Sequence, residues 1–189
     1  MRFETLGEKQ NGAVLFFHAM GVTGESSEPV AQCLKDRYFC ILPTSTVYCA
    51  GQKYTGKADE VRQVENFLRN HGVTRLKLVA ASSIGADLAV AFLTQTALPV
   101  EHVFFDGGQF AQIGKATRRV YFSFGSAEDH FKYRPAVKSA YPHAHFPVFK
   151  GCDHMQYQIQ DPQGFAGMLV SLMEEDRLPA SLGAAEEKE

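Results

Sequence analysis

Six apolar runs of strand length, each set off from the next by polar or helix-patterned sequence, constrain this chain more than any other feature. They are GAVLFFH (12–18), YFCILP (38–43), RLKLVAAS (75–82), HVFFDG (102–107), RRVYFSFG (118–125) and AHFPVFKG (144–151). Their β-branched and aromatic residues favour extended backbone. Their apolar character is nearly unbroken, where a half-exposed strand would alternate apolar with polar. A strand that is apolar on both faces must be covered on both faces, as in a parallel sheet flanked by helices.

The intervening segments supply those helices. SSEPVAQCLKD opens with serines, and ADEVRQVENFLRNHG sets Val61, Val64, Phe67 and Leu68 on one face before stopping at Gly72, a residue type that ends helices readily. GADLAVAFLTQ, FKYRPAVKSAYP and PQGFAGMLVSLMEED complete the set. The alternation predicts a doubly wound α/β fold with a mostly parallel sheet of about six or seven strands and helices on both faces. RFETL at the start is expected to add an antiparallel edge strand. A single domain over 1–178 is expected, followed by a small-and-charged tail, 179–189, too poor in apolar residues to pack.

With 45% hydrophobic and 21% charged residues and a formal net charge of -2, the chain offers no basic surface for nucleic acid or an anionic membrane. MRFETLGEKQ is polar where a secretory signal is apolar, and no run approaches the ~20 residues of a membrane span. Cys33, Cys40, Cys49 and Cys152 show no C-x-x-C or paired spacing, which fits reduced thiols. The expectation is a cytoplasmic protein with no nucleic-acid or membrane partner.

The chemistry centres on LVAASSIGADLA (78–89), where two serines follow an apolar run and precede a helix. In an open parallel sheet, such strand-to-helix turns present functional groups at the carboxyl ends of the strands. A nucleophile on so sharp a turn needs small residues two positions before and after it, because main chain passes close by. Ser83 has Ala81 and Gly85 at those positions, whereas Ser82 would have Ala80 and the bulky Ile84. The spacing selects Ser83. As a plain alternative, a serine pair after a strand caps a helix.

This pattern resembles the nucleophile elbow of the α/β-hydrolase superfamily, small-x-Ser-x-Gly, and three further stretches resemble the same family in the same order. LFFHAMGVTGES resembles its His-containing oxyanion loop, FSFGSAED the late strand that leads to the triad acid, and FPVFKGCDHMQY the last strand and catalytic histidine. The resemblance spans roughly residues 12–175 and implies the α/β-hydrolase fold with Ser83 as nucleophile and His154 as general base. It implies the backbone N–H groups of Met20 and Ile84 as oxyanion donors. The acid falls on Glu128, three residues after Gly125, or on Asp129, one further; aspartate being the commoner type, the preference goes to Asp129. Asp106 is the third candidate, read first as a helix-start cap.

This sequence departs from the family pattern at Ala19, where a glycine usually follows the loop histidine. Between the fourth and fifth runs only GQFAQIGKAT intervenes, too short for a helical lid, so an open site without a cap domain is expected. The resulting expectation is a serine hydrolase needing no cofactor and no metal, acting on a small-molecule acyl ester or thioester. Two other readings stand beside it. One is a catalytically inactive hydrolase fold serving as a binding module. The other is nucleotide binding by GQKYTGKA (51–58), which matches G-x-x-x-x-G-K but has alanine where a P-loop needs a hydroxyl for magnesium. His143 and His145 have i, i+2 spacing but no acidic or cysteine partner at ligand spacing, and are expected to be solvated.

Overall fold

All six apolar runs join one sheet, and RFETL makes a seventh strand. A computed structural model describes residues 1–107 and 119–178 of the 189. The strands are β1 (Arg2–Leu6), β2 (Gly12–Phe17), β3 (Tyr38–Thr44), β4 (Leu76–Ser82), β5 (Val100–Asp106), β6 (Arg119–Gly125) and β7 (Val148–Phe149), in the spatial order β1-β3-β2-β4-β5-β6-β7. Among the described residues, β1 alone runs antiparallel, paired with β3, and every other pair is parallel. The helices are α1 (Glu28–Leu34), α2 (Lys57–Asn70), α3 (Gly85–Gln95), α4 (Arg134–Ala140), α5 (Gln156–Gln160) and α6 (Pro162–Glu175). The sheet is open, so its strand ends leave a crevice between the connecting loops.

The unbroken apolar runs are explained by two cores, one on each face. Ala13, Leu15 and Phe17 of β2 face Val61, Val64 and Leu68 of α2 and Ala89 and Phe92 of α3. Val14 and Phe16, pointing the other way, join Val30 and Leu34 of α1 and Phe165, Leu169 and Leu172 of α6. Each fully buried leucine or phenylalanine contributes roughly 1.5–3 kcal/mol, so neither face can be uncovered without unfolding the sheet.

Two elements differ from the sequence expectation. The last run forms only a two-residue strand, because Pro147 has no N–H to donate. Its carbonyl still serves the ladder, accepting from Phe124 N at 3.2 Å. Upstream, His145 pairs with Tyr121 as an isolated parallel bridge. The short helix α5 is the second difference, since QYQIQ is too brief to show a helical period. The stretch GQFAQIGKAT, expected from its length to carry no lid, and the tail from 179 lie outside the described residues. Among the described residues, no helix is long and apolar enough to cross a membrane.

Candidate active site

The turn from β4 into α3 has the geometry the serine spacing implies. Ser83 adopts φ +51°, in the left-handed region where an L-residue is strained by roughly 1–2 kcal/mol. Hydrogen bonds on both sides hold it there: Ser83 N donates to Asp106 O at 2.8 Å, and Ala86 N to Ser83 O at 3.1 Å. Gly85 must be glycine, since a Cβ there would lie 2.5 Å from the His18 carbonyl oxygen and 2.6 Å from that of Phe17. Neither serine caps the helix. Instead Ile84 occupies the N-cap position of α3, with no side-chain capping bond.

Ser82 and Ser83 have different surroundings. Ser82 is buried, and its Oγ accepts from Gln158 Nε2 at 3.1 Å. That same Nε2 donates to Asp106 Oδ2 at 2.7 Å, and Ser123 Oγ donates to Asp106 Oδ1 at 2.7 Å. The helix start that Asp106 is expected to cap lies outside the described residues. Asp106 is a buried carboxyl at the end of β5 that ties β4, β6 and α5 together, and burial pushes its pKa up to about 6. The strand-ending aspartate is visible in VFFD; its partner Gln158, 52 residues away, leaves no sequence signal.

At the ends of β6 and β7 the structure brings Glu128, not Asp129, to the histidine. Glu128 Oε2 lies 2.6 Å from His154 Nδ1, and Glu128 Oε1 accepts from Gly125 N at 3.0 Å. The Glu128 side chain is 1% exposed and that of His154 28%. The sequence preference for Asp129 is thus corrected: Asp129 is exposed and begins a short 3-10 turn, Asp129–Tyr133. The hydrogen bond from His154 to the Glu128 carboxylate is the main reason the histidine pKa is raised. The ring itself lies over Gly107 (φ +61°), where a Cβ would fall 2.3 Å from His154 Cε1. Since Asp106 O holds Ser83 N, serine and histidine are anchored to consecutive residues at the end of β5.

On the other side of the elbow, the His18 loop needs no glycine at position 19. Ala19 is buried, and the positive φ falls instead on Gly21. Ser45 N donates to His18 Nε2 at 3.0 Å, so the proton resides on Nδ1, which donates to Ala19 O at 2.8 Å. Burial lowers the His18 pKa and favours this neutral form. The Ala19 carbonyl and the Met20 N–H share one planar peptide, so fixing the first aims the second the opposite way. Among the described residues, neither Met20 N nor Ile84 N has a backbone partner outside regular elements. The side chains of both residues are exposed.

A cavity of about 270 Å³ opens beside the elbow, lined by residues including Phe17, Val47, Tyr48, Lys57, Ile84 and Leu88. Lys57 begins α2, and its Nζ lies 3.5 Å from Asp87. A carboxylate at that lysine disfavours phosphate, and a 3-10 turn (Thr46–Tyr48) and a loop, not a strand, precede the glycines, so the P-loop reading has no structural support. His143 and His145 are exposed. All four cysteines are free, and burial pushes the Cys152 thiol up, which makes it a poor nucleophile.

No protein-family model matches the sequence, and a search of curated proteins finds no match. Solved structures do match. An alpha/beta hydrolase family protein from Desulfitobacterium hafniense superposes with TM-score 0.80 at 14% identity, covering 92% of this chain and 100% of that one. An esterase from Rhodococcus sp. ECU1013 gives TM-score 0.78 at 12% identity, covering 94% of each chain. The thioesterase domain of the curacin biosynthetic pathway gives TM-score 0.74 at 11% identity, covering 89% of this chain and 94% of that one. The chain has the α/β-hydrolase fold.

Proposed function

We propose that the protein is a serine hydrolase that cleaves a small ester or thioester through an acyl-enzyme, with Ser83 as nucleophile, His154 as general base and Glu128 as the acid. The observation that carries this reading is the 2.6 Å contact between Glu128 Oε2 and His154 Nδ1, on a ring packed at Gly107, next to the Asp106 carbonyl that holds Ser83 N. A serine hydroxyl is a weak nucleophile until a base takes its proton. A carboxylate on Nδ1 keeps the proton on that nitrogen, leaves Nε2 free to accept one, and stabilises the imidazolium that results.

In the first step Ser83 Oγ attacks the acyl carbon while its proton passes to His154 Nε2. The charge on the carbonyl oxygen is met by the N–H groups of Met20 and Ile84, the second at the positive end of α3; one such donor lowers the barrier by ~3–4 kcal/mol. His154 then protonates the departing alcohol or thiol, leaving Ser83 acylated. Water, deprotonated by His154, attacks the acyl carbon and releases the acid and free serine. The cavity beside Ile84 supplies apolar wall for one side of the substrate. A cytoplasmic location, without nucleic-acid or membrane partners, belongs to the same reading.

Labelling with a fluorophosphonate probe, followed by peptide mapping, tests this directly. Modification at Ser83, and loss of both labelling and p-nitrophenyl acetate hydrolysis in Ser83→Ala but not Ser82→Ala, is the expected result. An unlabelled, inactive wild-type protein would instead identify an inactive binding module.

A further inference from the structure

His130 stands edge-on to the catalytic imidazole, the two ring centroids 5.0 Å apart and the planes at 85°. Its Nδ1 is buried and has no hydrogen-bond partner among the described residues. Buried polar atoms are nearly always paired, so an unpaired ring nitrogen beside a working site calls for a cause. One donor atom each from Glu128, His130 and His154 lie within 4.8 Å of one another. Two imidazoles and a carboxylate, with a fourth position left to water, are a known donor set for open zinc sites.

We propose that Glu128, His130 and His154 together bind a divalent transition cation of the zinc class, and that its binding arrests the hydrolase. Donors around tetrahedral zinc lie about 3.4 Å apart, given bonds near 2.1 Å. The Glu128–His154 pair, now 2.6 Å apart, must therefore open slightly while the wider separations close. His130 and His154 are both only partly buried, which leaves their rings room to adjust. Asp106 and Asp153 add negative potential at His154, which favours a cation there. Imidazole nitrogen selects zinc-like ions over magnesium or calcium, which prefer oxygen.

Arrest follows from the position of the metal. The cation takes the Nδ1 lone pair of His154; the proton held there passes to solvent while Nε2 takes one up, so the ring binds as neutral imidazole in its other tautomer. With Nδ1 on the cation and Nε2 already carrying its proton, the ring has no lone pair left to accept the serine proton. Glu128, now a metal ligand, no longer stabilises an imidazolium. The arrest, though not the binding, rests on the serine-hydrolase reading.

The test is titration of the full chain with ZnCl2 by calorimetry, in parallel with p-nitrophenyl acetate hydrolysis. His130→Phe keeps a flat ring against His154 and removes the ligand; His130→Asn serves if phenylalanine disturbs the fold by circular dichroism. We expect a saturable zinc site reversed by EDTA, with affinity and inhibition both weakened at least about tenfold in the His130 variant, and no effect of MgCl2. Ser83→Ala is expected to bind zinc like wild type. That arm decides the site even if wild-type hydrolysis proves absent. Equal zinc affinity in wild type and the His130 variant, or no saturable binding, overturns the site. His130-dependent binding that leaves hydrolysis untouched at saturation overturns the arrest.

Discussion

Exchanging the Glu128 carboxylate for an amide is the sharpest perturbation the structure offers. Glu128 uses both oxygens: Oε1 accepts from Gly125 N at 3.0 Å, and Oε2 meets His154 Nδ1 at 2.6 Å. In Glu128→Gln the Gly125 N–H still needs an acceptor, so the amide oxygen takes the Oε1 place and the NH2 is turned onto Nδ1. That donor drives the histidine proton to Nε2, the nitrogen that receives the serine proton in the proposed mechanism. In a Ser-His-Asp protease the corresponding amide swap lowers kcat by ~10⁴, equivalent to about 5 kcal/mol of barrier. Because Glu128 is the main reason the His154 pKa is raised, a second readout is available. In the proposed mechanism the base acts as neutral imidazole, so kcat/KM is expected to fall as pH drops through the raised pKa, and in Glu128→Gln that acid limb moves to lower pH. Asp129→Asn, at an exposed position, is expected to change kcat less than about threefold, as surface substitutions usually cost within about 0.5 kcal/mol. Both variants are assayed on p-nitrophenyl acetate across roughly pH 5–9, a span that brackets an ordinary histidine titration, with folding checked by circular dichroism. Full activity in Glu128→Gln together with collapse in Asp129→Asn would refute the assignment of the acid.

Three further outcomes follow from single contacts. Gly107→Ala places a Cβ 2.3 Å from His154 Cε1, and the displaced ring is expected to lower kcat about 10²-fold in a protein that still folds; wild-type kinetics would count against that ring position. Asp106, buried and pushed up to about 6, contributes stability that is fully present below the unfolded carboxyl range and is lost as pH rises through about 6. Asp106→Asn is then expected to remove about 2–3 kcal/mol of the pH dependence of unfolding between roughly pH 4 and 8, measured by urea titration, and an unchanged pH profile would refute this. With no lid expected and a cavity of about 270 Å³ beside the elbow, butanoyl esters are expected to exceed decanoyl esters in kcat/KM, and the reverse ranking would count against an open site.

Much of the fold is legible in the sequence because its signals are local. Strand runs such as KLVAAS and VFFD are apolar on both faces, and that alone requires helices above and below the sheet. RFETL is partly exposed and pairs on one side only, as an edge strand does. The elbow is legible for the same reason. The need for a small residue at Gly85 is set by main chain of β2 passing within 3.0 Å of where its Cβ would be, and that demand is written at one position. The failure of the last run to form a full strand is legible in principle too, since Pro147 stands within FPVFKG.

What sequence cannot decide is set by geometry between distant segments. Glu128 and Asp129 are adjacent carboxylates after the same strand, and counting from Gly125 favours one while residue type favours the other. The structure separates them by backbone direction. Glu128 is the last extended residue before the 3-10 turn, with φ −78° and ψ 146°, and its side chain folds back to the Gly125 N–H. That bond fixes one oxygen and leaves the second facing His154, whereas Asp129, first in the turn, is carried outward into solvent. Side-chain length matters here as well. A carboxylate held to the backbone three residues behind it while touching a ring 26 positions ahead has to span both, and the extra methylene of glutamate supplies that reach. The same turn that carries Asp129 away brings His130 against His154. One local choice of backbone therefore decides which carboxylate meets His154 and places the His130 ring, with its unpaired Nδ1, beside it.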